Sequence, residues 1–472
     1  MSTPVVYYGS VVNPKALDVY DALPRCLLAI SAQGNIDFIV EDVEESLIQQ
    51  TLAERGLIDV EVVPLGRYEF IMPGFIDTHT HGPQFPNLGS GGQYELLDWL
   101  QNVTFPMEAK FSDPEFARRT YTSVVQRVIN NGTTACCYYG TLHLEASMIL
   151  ADIIHAHGQR ALVGKCNMNR NCPPTYIEAS SATSIEDTKS LIAHIRGLAP
   201  AGRALVQPVL TPRFAISCTD ELLDDLGKLA SGDNALHIQT HISENESEIA
   251  FTKELFPKAP SYAGVYDTFG LLRQNTILAH GVHLEPSEVE LIKERKAGIS
   301  HCPTSNFNLS SGVAPVGEYL DKGLKVGLGT DVSGGFSPSI LDAIRNASIA
   351  AKVVSLPYKG RDDIPGKYTN RMLPIPTLLY LATLGGAEVC DMDKEIGSFA
   401  PGKSFDALIV DTSGRSGNPN FYEHASVDKA LDGKKALEAM LEAFLFCGDD
   451  GNISRVYVQG RLIGGKSFAR LD

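Results

Sequence analysis

The stretch PGFIDTHTHGPQ, residues 73–84, sets His79 and His81 on either side of one threonine. Side chains along a strand alternate between faces, so both imidazoles project the same way, roughly 6–7 Å apart. At that separation two imidazoles reach one metal ion, although two polar loop residues that merely alternate would read the same. Other segments hold residues of the same chemical kind: His241 and Glu244 in LHIQTHISE, His280 and His283 in TILAHGVHL, His301 in GISHCPTSN and Asp331 in GLGTDVSGG. His79, His81, His241 and Asp331 together offer three nitrogens and one oxygen, a donor set that zinc accepts with a place left for water. Zinc lowers the pKa of such a water toward neutrality and so makes a nucleophile. Glu244, three residues past His241, is placed to carry protons over that centre. Asp331 lies in a turn-rich stretch, where a helix cap or loop acid is the other reading. His283 reads as an exposed polar residue. His301 has two readings, a group behind the metal centre or a buried structural imidazole.

Chemistry of this kind needs elements that bring distant residues to one place. Between residues 71 and about 390, apolar β-branched runs alternate with helical stretches. The candidate strands are EFIMPGFIDTHTH (69–81, read as one buried strand), TTACCYYGT, RALVGKCNM, ALVQPVLTPRF, LHIQTHISE, NTILAHGVHL, GISHCPTSN and KVGLGTDVSGG. Helical patterns such as DPEFARRTYTSVVQRVINNG and SPSILDAIRNASIAAKVVSL separate them. Near-continuous apolar strands alternating with helices indicate a parallel sheet covered on both faces, and eight of them suggest a closed (β/α)8 barrel of the TIM type. In such a barrel the C-terminal strand ends share one mouth, where the chemistry sits. The candidate residues fall at those ends: His79, His81 and Gln84 at the first, Arg213 and Phe214 at the fourth, His241 and Glu244 at the fifth, His280 at the sixth. His301 and Asp331 follow at the seventh and eighth.

The flanks read as short strands: VVYYGSVV, CLLAISAQGNIDFIV and IDVEVVPLG before the barrel, IGSFAPGKSFDALIVD and ISRVYVQGRLIGG after it. The expected class is therefore α/β, with residues 71–394 forming the barrel and residues 1–70 and 395–472 together forming a small β-sandwich. Composition is that of an ordinary globular protein, 44% hydrophobic and 20% charged, so nothing argues for a disordered or fibrous chain. The formal net charge of −16 argues against a nucleic-acid partner, which would need a positive patch, and leaves a small neutral or weakly charged substrate easier to accept. Nine cysteines without a Cys-x-x-Cys spacing suggest neither a disulfide framework nor a cysteine metal site. The start, MSTPVVYYGS, lacks a signal-peptide pattern, and no run approaches the roughly 18 apolar residues of a membrane span. A reduced, cytoplasmic protein is expected.

At these residues the sequence resembles the amidohydrolase superfamily, and within it the zinc-dependent barrel enzymes that deaminate guanine. The resemblance runs over almost the whole chain, through FIMPGFIDTHTHGPQ, FPMEAKF, LVQPVLTPRFAISC, LHIQTHISENESE, ILAHGVHL, SHCPTSNFNLSSG, VGLGTDVSGG, LATLGGAE, EIGSFAPGKSFDALIV and GDDGNISRVYVQG. The His-x-His and the aspartate after the eighth strand are shared by many reactions. Gln84 and the Arg213-Phe214 pair are the narrower marks. The resemblance implies one zinc per chain on His79, His81, His241 and Asp331. It implies that Gln84 and Arg213 hydrogen-bond the polar edge of a purine while Phe214 packs against its ring. Glu244 would move a proton to N3 as C2 is attacked, Asp331 would also accept a proton, and His280 would hold the attacking oxygen. Ammonia and xanthine would leave, a step of purine breakdown or salvage. A homodimer is implied as well.

Three rivals are set against this reading. Dinuclear amidohydrolases bridge two metals through a carbamylated lysine at the fourth strand end, but LTPRF holds no lysine there, and Lys165, at the third, reads as a salt-bridge partner. Related deaminases act on cytosine, adenosine-like compounds or triazines, and Gln84 with Arg213 favours guanine over these. A scaffold of the same fold without chemistry would have shed metal ligands, which this chain keeps.

Overall fold

The computed structural model describes residues 4–199, 204–361, 363–421 and 433–468. The chain begins with β1 (Val5–Ala16), β2 (Val19–Ile30), β3 (Ile36–Val40), β4 (Glu61–Pro64) and β5 (Glu69–Pro73). The barrel strands follow: β6 (Phe75–His81), β7 (Thr133–Tyr139), β8 (Arg160–Gly164), β9 (Cys166–Asn167), β10 (Val206–Pro212), β11 (His237–Ile242), β12 (Thr276–His280), β13 (Gly298–His301) and β14 (Lys325–Leu328). Last come β15 (Ala407–Asp411), β16 (Ile453–Val458) and β17 (Arg461–Gly464).

Strands β6, β7, β8, β10, β11, β12, β13 and β14 pair in parallel in chain order, with the short β9 extending the edge of β10. The third candidate strand is thus broken at Lys165 into β8 and β9. First and last strands meet through the Thr78 hydroxyl, which donates to the Leu328 carbonyl at 2.9 Å, and the Asp331 N–H, which donates to the His79 carbonyl at 2.9 Å. The barrel is therefore nearly closed, with β6 and β14 side by side at the mouth. Gly329 permits that approach: a Cβ there would lie 2.6 Å from Ser300 Oγ and 3.0 Å from His79 Cβ.

The helices over this barrel follow their sequence patterns. Pro114–Asn130 starts under an Asp113 cap whose side chain accepts the Glu115 N–H, with proline at the first position, where no donor is lost. Its buried residues Ala117, Tyr121, Val124, Val125, Val128 and Ile129 recur at helical spacing and form one face against the barrel. Ile340–Ser355 is the second helix expected from the sequence, and it buries Ile340, Leu341, Ile344 and Ala347.

One expected strand proves to be two. Residues 69–81 run from one sheet into another: β5 pairs antiparallel with β15, whereas β6 pairs parallel with β7. Gly74 makes the passage, donating to the Asp406 carbonyl at 3.1 Å, and a Cβ there would strike the Thr134 side chain at 2.2 Å. Periodicity does not register such a change of partner, because both strands are buried along nearly their whole length.

Both ends of the chain share one sheet, ordered β17-β16-β15-β5-β1-β2-β3 with β4 beside β1. It bends over itself, so that Tyr7 of β1 stacks on Phe405 at 5.5 Å and meets Tyr457 of β16 edge-on at 6.1 Å. Those rings with Val11, Leu28, Ile71 and Ile409 fill the space between its halves, giving the small sandwich expected from the termini. Two helices in these flanks, Ile48–Glu54 and Gly433–Cys447, have no counterpart in the strand-rich sequence reading.

Sheet and barrel are joined by a buried ion pair. Arg160 Nε donates to Asp406 Oδ2 at 2.9 Å, and both side chains are 2% exposed. Breaking a buried pair from one side costs about 3–5 kcal/mol, and without Asp406 the buried Arg160 keeps, among the described residues, only the half-exposed Glu395, 3.3 Å away, as a counter-charge. Asp406→Ala is therefore expected to lose that much in urea unfolding. A loss below about 1 kcal/mol would mean that the pair does not lock the two sheets together.

Candidate active site

The barrel mouth gathers the candidate residues as the strand-end reading expects. His79, His241, His280 and Asp331 each bring one donor atom to within 4.8 Å of one another. His81 joins them, with Nε2 3.2 Å from His241 Nε2 and 3.3 Å from Asp331 Oδ1. The surroundings set the rings. His241 Nδ1 donates to the Arg213 carbonyl at 2.7 Å, which fixes the tautomer and turns Nε2 inward. His280 Nδ1 faces the acceptor Asn306 Oδ1 at 2.9 Å, so its Nε2 also turns into the site. The backbone is left-handed at His280 (φ 76°) and Asp331 (φ 44°), a conformation that costs an L-residue energy and gathers at functional sites.

Electrostatics separate these groups into roles. Burial, with help from neighbouring imidazoles, holds His241 well below its ordinary pKa. Burial likewise lowers His79 and brings His81 down to about 4. Burial alone would raise Asp331, but the imidazoles, His79 first, outweigh it and keep the carboxylate ionised. Glu244 goes the other way: burial, then the charge of Asp331, pushes it well above the carboxylate range. Its Oε2 lies 3.4 Å from His280 Nε2, and its Oε1 accepts the Ser311 hydroxyl at 3.3 Å. A raised carboxyl beside an ionised one is suited to proton transfer near neutral pH.

The donor set fits a metal ion. His79 Nε2 comes within 3.0 Å of Asp331 Oδ1, yet this buried nitrogen forms no hydrogen bond. Both ring nitrogens of His79, Nδ1 of His81 and Nε2 of His280 are buried without partners. Buried polar atoms rarely stay unpaired. Imidazole nitrogens that converge on an ionised carboxylate, most of them without a hydrogen bond, match what zinc requires of its ligands.

Beside this cluster lies a second polar group. Phe214 packs on His241 with ring centroids 4.5 Å apart. The Arg213 guanidinium stands over the rings of Phe105, at 5.2 Å, and Phe214, at 5.7 Å. Gln84 Oε1 accepts the Ser333 N–H at 3.1 Å, which leaves its amide nitrogen to donate to Glu108 Oε1 at 2.8 Å. Glu108 is absent from the sequence candidates although FPMEAKF contains it. A buried glutamate with three donors is a property of the folded environment, and only its place in that motif could have drawn notice.

The remaining sequence candidates lie outside the cluster. His283 is half-buried, its Nε2 2.7 Å from the Ser311 carbonyl. His301 is fully buried, and burial lowers its pKa to about 3, so it is a neutral imidazole behind His280. Lys165 is buried in an ion pair with Glu178 and donates to the Cys166 carbonyl at 3.1 Å. Among the described residues, no helix is long and apolar enough to cross a membrane.

Known proteins resemble this chain over most of its length. The Amidohydrolase family model matches residues 70–463. A probable guanine deaminase of Schizosaccharomyces pombe is 46% identical over 432 residues, covering 92% of this chain and 78% of that protein. Guanine deaminase of Dictyostelium discoideum is 40% identical over 464 residues, covering 97% of this chain and 98% of that one. The crystal structure of guanine deaminase from C. acetobutylicum, with guanine bound in its active site, matches at a TM-score of 0.83 and 34% identity, covering 98% of this chain and all of that one.

Proposed function

The chain belongs to the amidohydrolase family, and from that premise we propose that it hydrolyses guanine to xanthine and ammonia, with one zinc ion per chain. One observation carries the substrate: Arg213 holds the ring of His241 through its carbonyl while its guanidinium stands over Phe214, which packs on that same ring. A flat base lying on Phe214 would thus have a donor-only group at one edge and the His-Asp-Glu cluster near the other. Arg213 suits the C6 carbonyl of guanine, an acceptor, and opposes the amino group of adenine.

His79, His81, His241 and Asp331 would hold the zinc, which when bound makes water nucleophilic near neutral pH. Glu244 takes the proton of the attacking water at its carboxylate and passes it to N3 of guanine as C2 is attacked. Asp331 Oδ2, 3.7 Å from His280 Nε2, accepts a further proton, while His280 orients the attacking oxygen. Gln84 and Arg213 hold the purine edge, and Phe214 its face. The proton taken by Asp331 goes to the 2-amino group, which leaves C2 as ammonia while the oxygen added there becomes the carbonyl of xanthine. All of these side chains are buried, which keeps bulk water from competing.

Incubation of the protein with guanine, adenine and cytosine while ammonia is measured tests the activity. Ammonia from guanine alone is expected. Release from cytosine or adenine instead would assign a different deaminase. Arg213→Ala tests the purine reader: kcat/KM for guanine should fall by about two to three powers of ten, because a charged hydrogen bond is lost in a dry site. Metal content should stay, and adenine should gain little. A variant as active as the parent would remove Arg213 from substrate recognition.

A further inference from the structure

FPMEAKF is singled out by the sequence and takes no part in the chemistry above. In the structure Phe105–Glu108 is one helical turn, and positions three apart on a helix share a face. Phe105 and Glu108 accordingly both meet Arg213: the ring lies 5.2 Å from the guanidinium carbon, and Glu108 Oε2 accepts Arg213 Nη1 at 2.6 Å. The same carboxylate accepts Gln84 Nε2 at 2.8 Å and the Tyr176 hydroxyl at 2.7 Å. Glu108 and Arg213 are 0% and 1% exposed at their side chains. The two residues that read the purine edge are thus tied to one buried acid.

We propose that Glu108 is a positioning and specificity-determining residue, which fixes Gln84 and Arg213 in register and cancels the charge of Arg213 so that the pocket selects a neutral base. The proposal rests on Gln84 and Arg213 being the purine contacts. A carboxylate has about four acceptor positions, and three protein donors take all but one of them here, so Glu108 acts chiefly through its neighbours. Its grip spends only one edge of the guanidinium: Arg213 Nε is buried with no partner. An unpaired guanidinium in this dry space would favour an anion over guanine. Paired, it stays a charged donor, but the pair as a whole carries no net charge, and it is held against two rings, Phe105 and Phe214, in a set orientation. Tyr176 extends the clamp to a second segment, since its oxygen also accepts the Leu142 N–H at 3.3 Å.

The test is steady-state kinetics on Glu108→Gln, Glu108→Asp, Arg213→Ala and the double variant Glu108→Gln/Arg213→Ala, with zinc content and thermal midpoint measured alongside. Glu108→Gln should raise KM for guanine by about 10–100-fold, the worth of a charged hydrogen bond, and change kcat by less than about 3-fold. Glu108→Asp keeps the charge, so its KM should lie between the two, and it stands in should the Gln variant fail to fold. In the Arg213→Ala background, Glu108→Gln should add less than about 3-fold, as coupled residues do. A lowered midpoint with KM unchanged would make Glu108 merely structural and overturn the proposal, as would full additivity in the double variant. If Arg213→Ala is itself without effect, the purine-reader assignment falls. If Arg213→Ala is damaging and Glu108→Gln silent, only the role of Glu108 falls.

Discussion

Replacing Glu244 with Gln is expected to lower guanine turnover by about 10²–10⁴-fold, while metal content and guanine binding stay near those of the parent. The amide matches the carboxyl in shape, so the Ser311 contact and the proximity to His280 can persist. It cannot take a proton from water or return one to N3. The structure supplies the reason for this residue rather than another. Glu244 and Asp331 are buried carboxyls of one site, and their surroundings push them apart: imidazoles hold Asp331 low, whereas burial and the charge of Asp331 push Glu244 up. Two acids separated in this way divide the work: Asp331 is the anion at rest and Glu244 the first proton carrier. Turnover within about threefold of the parent would remove Glu244 from the proton path.

Stripping the metal with a strong chelator is expected to abolish activity, and about one equivalent of zinc per chain to restore it. Nothing else in the site could make water nucleophilic near neutral pH, because the remaining groups hold or move protons. Variants at the five converging residues sharpen this prediction. His241→Ala should lose zinc, since His241 offers its bare Nε2 once Nδ1 is committed to the Arg213 carbonyl. His280→Ala should keep zinc and lose rate, since His280 Nε2 faces Glu244 and the outer oxygen of Asp331. The reverse pattern would exchange the roles of His241 and His280. Activity in a sample verified to be free of metal would overturn the mechanism, and a stoichiometry near two would point to a dinuclear site.

Much of this arrangement is legible in the chain. The barrel follows from local patterns, because parallel strands buried on both faces must be written as apolar runs, and the helices between them as amphipathic ones. Once strand ends share a mouth, His79, His81, His241, His280 and Asp331 become neighbours by topology alone. Where partner choice matters, the pattern is silent: residues 70–76 read as one unbroken apolar run, yet Gly74 divides them between two sheets. The helix Gly433–Cys447 escapes notice in a flank dominated by strands.

What the sequence by itself determined was the class of fold, the donor types for a metal and the residues at the barrel mouth, because each depends on residue identity and short-range period. The tertiary structure alone decided which of those groups are charged and what holds them. Glu108 shows the difference. In the sequence it is one acid among 56. In the fold, burial gives it no water, and Gln84, Tyr176 and Arg213, drawn from three separate segments, give it its donors. Burial would raise its pKa, but the charge and hydrogen bond of Arg213, with His81 and Tyr176, together outweigh burial and hold it low. Protonation, orientation and pairing are set by contacts between residues far apart in sequence, and no local pattern of residues encodes those contacts.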